Sequence, residues 1–278
     1  MKLNIYFLLI CFICLQSCNK NNNEKSDTEK LNLNGKIKSI TENSFHAIEK
    51  FGEIIKGKSS NNLLNKENHQ MIYNNNGYLI EEKNEPIYYR LTNKYNSENK
   101  VVEVKTFDES GVLTGTTIKK YDKKGNENEY SQFYQGKLVA KGKFLYDDKG
   151  NRIEHKYYNE NGDLESMQKN TYDNQNNLIG YKYYDANGVL GFSSKYVFDS
   201  SGNEIESVNY NSLGNIDRKT ISTYNSDNLI IEFKDTFNDN YYTEKYTYKF
   251  DSNKNWIEKI VFKNGKPESI IERTIEYY

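Results

Sequence analysis

From about residue 73 onward, an aromatic residue repeatedly stands just before a short polar cluster, and a run of alternating apolar and polar residues follows. The aromatics are Tyr95, Phe107, Tyr121, Tyr134, Tyr146, Tyr158, Tyr172, Tyr184, Phe198, Tyr210, Tyr224, Phe237, Phe250 and Phe262. Their gaps are mostly 12 and 14 in alternation, and each pair makes a period of 26 residues. A fixed period at this level decides architecture before local propensity does. Ile153, Ile179, Ile205, Ile231 and Ile257 form a column seven residues after one aromatic series, and Leu164, Leu190 and Ile216 form a column six after the other. The polar clusters, such as "DDKGN", "NENGD", "DNQNN" and "DSSGN", combine Asx with a Gly or Asn that tolerates positive φ, which is turn chemistry. The runs between them are rich in Tyr, Ile, Val, Thr and Phe and read as strands joined in hairpins.

The pattern predicts an all-β chain: a single elongated, twisted antiparallel meander of about 14–16 strands, built from 26-residue two-strand repeats. Aromatics one period apart end at the same edge, two strands apart, so the chain lays an aromatic row along each long edge. Such a sheet twists and curls. Residues 31–72 are off the period and read as N-terminal capping strands that turn at Phe51-Gly52, and residues 73–278 form the repeat domain. In the last strand Ile271, Arg273, Ile275 and Tyr277 alternate with Ile270, Glu272, Thr274 and Glu276, and its charges are suited to blunting an exposed edge.

The first residues, "MKLNIYFLLICFICLQSC", carry Lys2 and then an apolar stretch of about eleven residues, too short to span a bilayer and suited to a secretory signal. Leu15, Gln16, Ser17 and Cys18 resemble a bacterial lipoprotein lipobox. The resemblance implies a signal peptide over 1–17, cleavage before Cys18, acyl chains on that cysteine, and a flexible tether over 18–30. Asn19 resembles an outer-membrane address. Cys11, Cys14 and Cys18 are the only cysteines, so the body has no disulfide and rests on strand pairing and packing.

"YDDKGNRI", "YDANGVL" and "FDSSGNEI" resemble the motif of the YD-repeat, or RHS-type, proteins, and the resemblance covers roughly residues 73–278. The chain looks like the short repeat lipoproteins of Bacteroidetes-type bacteria. It lacks the toxin-sized extension of the large family members, and its length suggests no closed shell. "YYNENGDL" is also similar to MORN-variant repeats, the second choice.

The net charge of −1 offers no cationic surplus for phosphates, so nucleic acid is not an expected partner. Tyr accounts for 25 of the 278 residues, which suits half-exposed sheet surfaces. His46, His69 and His155 lack metal-ligand spacing and read as solvent- or sheet-facing. Asp122, Asp147, Asp173, Asp185, Asp199 and Asp251 read as Asx-turn residues rather than calcium ligands. No nucleophile elbow, dinucleotide fingerprint or P-loop occurs. Tyr157, Tyr181 and Tyr183 share one side of successive strands and form a candidate aromatic binding face, and Trp256 reads as packing on the last strand. The expectation is a lipid-anchored protein of the cell envelope, in the outer membrane and facing the periplasm or the surface. It is read as non-enzymatic, without metal or cofactor, with a sheet that binds protein or glycan. A structural or assembly role in the outer membrane is the alternative, and an enzyme the third.

Overall fold

The structure is a computed structural model and describes residues 25–60, 67–85, 89–237 and 240–278. A short helix, α1 (Asp27–Lys30), precedes nineteen strands. The N-terminal group is β1 (Ile37–Lys50), β2 (Glu53–Ser59), β3 (Glu67–Tyr73), β4 (Leu79–Glu85), β5 (Tyr89–Tyr95) and β6 (Val101–Phe107). The middle group is β7 (Leu113–Tyr121), β8 (Glu127–Tyr134), β9 (Lys137–Tyr146), β10 (Arg152–Asn159), β11 (Leu164–Tyr172), β12 (Leu178–Asp185) and β13 (Leu190–Phe198). The last group is β14 (Glu204–Asn211), β15 (Ile216–Tyr224), β16 (Ile230–Phe237), β17 (Asn240–Phe250), β18 (Trp256–Lys263) and β19 (Lys266–Tyr277).

Each strand from β3 to β19 pairs antiparallel with the next. The sheet then closes through β1. Ile40 and Glu42 oppose Ile275 and Arg273 of β19 on one side, and Met71 and His69 of β3 on the other. Eighteen strands form a barrel, and β2 is the extra one, paired with the far half of β1. The expectation of an open meander of 14–16 strands is corrected, as is that of a chain unable to form a closed shell. The off-period segment supplies the closing strand rather than a cap, and β19 is not an exposed edge.

Local chemistry explains the closure. In the turns that open with Asx, the side chain accepts two backbone hydrogen bonds; Asp147 Oδ1 takes the N–H groups of Lys149 (2.9 Å) and Asn151 (2.8 Å). Gly150, at φ +86°, occupies the left-handed position that completes the turn, and Asn176 and Asn228 take it elsewhere. Just past the turn, one residue is extra in the ladder. Arg152 opposes Tyr146 and Glu154 opposes Leu145, so Ile153 is bulged. The same shift makes Ile179, Ile205, Ile231 and Ile257 bulge residues. The Ile column is therefore a column of β-bulges. Bulges bend strands and increase twist, so one at each such turn curls the sheet onto itself.

The aromatic row holds these corners. Tyr121, Tyr146, Tyr172 and Tyr224 donate their hydroxyls to the carbonyls of Val101, Glu127, Arg152 and Glu204, at 2.7–3.0 Å. Each acceptor is the first residue of the preceding strand, beside its bulge. Phe250 has no hydroxyl, and Tyr248 reaches the Ile230 carbonyl instead (2.7 Å).

Residues 26–30, assigned to the tether, are docked. Ser26 and Thr28 are buried, the Thr28 N–H donates to the Gly77 carbonyl, and Asp27 accepts from the Leu79 N–H and the Tyr95 hydroxyl. Residues 1–24, which include Cys18 and the signal segment, lie outside the described residues.

Candidate functional site

The two faces of the barrel wall differ in chemistry. Ladder partners share a face, so the registers sort the side chains. One face carries Ile40, His69, Tyr130, His155, Ser194, Asp235 and Val261, all buried. Side chains converge on a concave surface and lose exposure there, so this is the interior. The opposite face carries lysines paired with acids, among them Lys120–Glu129 (2.8 Å), Lys156–Glu154 (2.9 Å) and Lys249–Glu258 (2.8 Å). The second aromatic row is outside as well. Lys143, Lys169 and Lys195, spaced by one period, lie 5.6–5.9 Å from the ring centres of Tyr158, Tyr184 and Tyr210. A wall with lysines along so many strands suits water, because each cation at bilayer depth would cost about 2–4 kcal/mol. Barrels of about sixteen to eighteen strands are too wide for side chains to fill, so the interior face lines an open lumen.

Two constellations stand on that face. The first spans β10 to β14. The predicted residues Tyr157, Tyr181 and Tyr183 are all interior, with Tyr157 on β10 and the other two on β12, on either side of β11. Tyr157 packs on the His155 ring (3.8 Å) and Tyr130, while Tyr181 and Tyr183 lie against Phe192 (5.6 and 5.1 Å). The Tyr183 and Phe192 rings are stacked at 18°. Gly191 makes room for this arrangement, since a Cβ there would meet the Tyr183 ring at 2.9 Å. Gln168 of β11 approaches the Tyr157 hydroxyl (3.4 Å). His155 is buried, and burial, reinforced by the Arg152 charge, lowers its pKa to about 3. Sequence reasoning missed Phe192. Its signal is its place two residues past Leu190, on the face shared with the tyrosines opposite.

The second constellation lies across the closure. Arg273 Nε donates to Glu42 Oε1 (2.7 Å), and Glu42 Oε2 lies 3.5 Å from His69 Nδ1. His69 Nε2 is 2.7 Å from Glu82 Oε1, which also accepts from the Tyr89 hydroxyl (2.7 Å). Arg273 stacks on Trp256 at 3.4 Å, so that tryptophan meets the last strand. Burial alone would raise the Glu42 carboxyl, but the His69 bond and the Arg273 charge outweigh it and hold it at about 2. Burial lowers Lys259 beside them. The network joins strands far apart in sequence, so no spacing announced it. His69 is buried within it, while His46 is exposed. Among the described residues no three His, Cys, Asp or Glu side chains converge as metal ligands.

No protein-family model matches the chain, and no curated protein matches it. Among solved structures, the chain is similar to a chain of the Photorhabdus luminescens Tc holotoxin pore, with 15% identity and a TM-score of 0.37, over 69% of this chain and 10% of that one. This chain thus spans about a tenth of the toxin chain's length. It is also similar to a porin-like protein from Bacteroides uniformis, with 12% identity and a TM-score of 0.46, over 87% of this chain and 99% of that one. A putative outer membrane lipoprotein-sorting protein domain from Vibrio parahaemolyticus aligns with 8% identity and a TM-score of 0.18, over 87% of this chain and 86% of that one. At these identities and TM-scores no property of those proteins passes to this chain.

Proposed function

We propose that the protein is a non-enzymatic binding protein of the cell envelope, held to the membrane through lipid on Cys18, that takes its ligand on the interior face of the barrel. One observation carries the reading: the aromatic rings of Tyr181, Tyr183 and Phe192 gather on the concave face, while the outer wall is closed off by lysine–carboxylate pairs. Aromatic side chains supply large contact area, and concave surfaces surround a ligand. The ion-paired outer wall favours a barrel standing in water on an anchor over one spanning the bilayer.

A photoreactive benzoylphenylalanine at position 192 or at the outward-facing Lys182, irradiated in intact cells, tests this. The expected result is an adduct of increased mass from position 192 and none from 182, with Cys18→Ser releasing the protein from the membrane fraction. Adducts from 182 alone, or from neither position, contradict an interior ligand, and unchanged membrane association of the Cys18→Ser chain contradicts the anchor.

A further inference from the structure

We infer that the interior sector from β11 to β14 binds a neutral oligosaccharide, an inference that rests on the interior-ligand reading above and names its ligand. Gln168, Tyr183, Phe192 and Asn211 stand side by side on successive strands in one cross-strand row. In the next row the neighbours are Asn170, Tyr181, Ser194 and Asn209. Each row thus places an amide on β11, a tyrosine on β12 and an amide on β14. At about 4.8 Å between strands the platform spans about 14 Å from one amide column to the other.

Three features select the ligand. The first is charge. No Lys, Arg, Asp or Glu stands in either row. Two cations flank the second row: Arg218, opposite Asn209, is taken up by a two-point pair with Asp235 at 2.9 and 2.6 Å, and Arg152, whose carbonyl accepts from Asn170, lies over the Phe144 ring at 4.8 Å. An anionic ligand would find no free cation there, and a cationic one no carboxylate. The second is the pairing of rings with amides. The C–H face of a pyranose packs on an aromatic ring while its hydroxyls project sideways, where side-chain amides can both donate and accept. Part of each amide is engaged within the wall: Asn170 Nδ2 donates to the Arg152 carbonyl (2.8 Å), Asn209 Oδ1 accepts from Ser194 Oγ (2.8 Å), and Asn211 Oδ1 accepts from the Leu213 and Asn215 N–H groups (3.0 and 3.1 Å), so the Nδ2 groups of Asn209 and Asn211 are the ones that would meet sugar hydroxyls. The third is exposure. Phe192 is 42% exposed although it lies on the face that holds most of the buried side chains. Its ring is stacked on Tyr183 and still keeps that exposure. The amide columns on both sides of the platform also favour a sugar over a peptide, whose own backbone would seek strand edges that the closed barrel does not offer.

Calorimetric titration of the full chain in detergent micelles tests the inference. The probes are neutral malto-, cello-, manno- and chito-oligosaccharides of increasing length, with oligogalacturonate as the acidic comparison. At least one neutral series is expected to bind, more tightly as its length grows, with oligogalacturonate inert. Phe192→Leu and Tyr183→Leu keep apolar bulk but remove the stacking face. Each is expected to weaken binding by about tenfold or more without moving the melting temperature, while outward Lys182→Ala has no effect. Failure of every neutral series, binding of the acidic probe alone, or unchanged affinity in both leucine variants overturns the inference. If no sugar binds but position 192 is crosslinked to a polypeptide in cells, the sugar inference falls and the interior-ligand reading stands. If neither occurs, both fall.

Discussion

His155 illustrates how single residues are committed in this wall. Its ring is held between Phe144 at 4.2 Å and Tyr157 at 3.8 Å, with Tyr130 edge-on at 5.7 Å and Arg152 among the charges beside it. Burial, the larger cause, and Arg152 both disfavour the charged form, so the folded pKa falls from 6.5 to about 3. Because the folded pKa is depressed, the unfolded chain takes up the proton first as pH falls. The His155 contribution is intact above pH 6.5 and is lost progressively toward pH 3. The limiting slope for one such group is about 1.4 kcal/mol per pH unit. Melting temperatures of wild type and His155→Phe, measured from pH 7 to 4, should therefore converge or cross, with the variant losing less on acidification. Parallel curves would mean that the ring is not held neutral. Glu42 has the same direction of shift for the opposite reason, a carboxylate stabilised by its partners, and its contribution fades only between pH 4.5 and about 2.

At the scale of elements, the unit is a two-strand repeat whose strands begin at bulges and whose turns are closed by Asx side chains. Joining Tyr172 to Asp199 by deleting residues 173–198 removes β12 and β13 with their two turns. Every later residue keeps its face and edge, and sixteen strands can still close. Deleting only 173–184 leaves seventeen, so β19 would run parallel to β1 and present the wrong face to it. In a barrel whose neighbours are all antiparallel the strand number must be even. The first deletion is expected to melt cooperatively and a few degrees lower, at about 2–4 °C per kcal/mol lost. The second should lose protection of the β1 and β19 amides from hydrogen exchange; equal protection in both would contradict the repeat as the unit. The period and turns were legible because left-handed positions accept few residues. The Ile column was legible as a column but not as bulges, although Leu178-Ile179 and Ile230-Ile231 break the alternation at those places. Tyr157, Tyr181 and Tyr183 could be picked out from alternation, whereas Phe192 needed the register across the hairpin. The network of Glu42, His69, Glu82 and Arg273 had no sequence signal, because it forms only when the ends of the chain meet.

For the whole molecule, closure decides everything else. It turns a two-faced sheet into an interior that gathers most of the buried side chains and an outer wall of lysine–carboxylate pairs, and it brings β1 between β3 and β19. The last strand's alternation, read as edge protection, places Arg273 against Glu42 and Trp256 inside and Glu272 against Lys56 outside. The distance between spin labels at Lys94 of β5 and Lys249 of β17, both on the outer wall at the same rim, tests closure most directly. The labels are placed in a chain whose three native cysteines are serine. Through the closure those strands are six neighbours apart, about 30 Å, whereas along an unclosed sheet they are twelve apart, about 60 Å. A single distribution centred near 30 Å is the predicted result, and one centred near 60 Å would contradict the barrel.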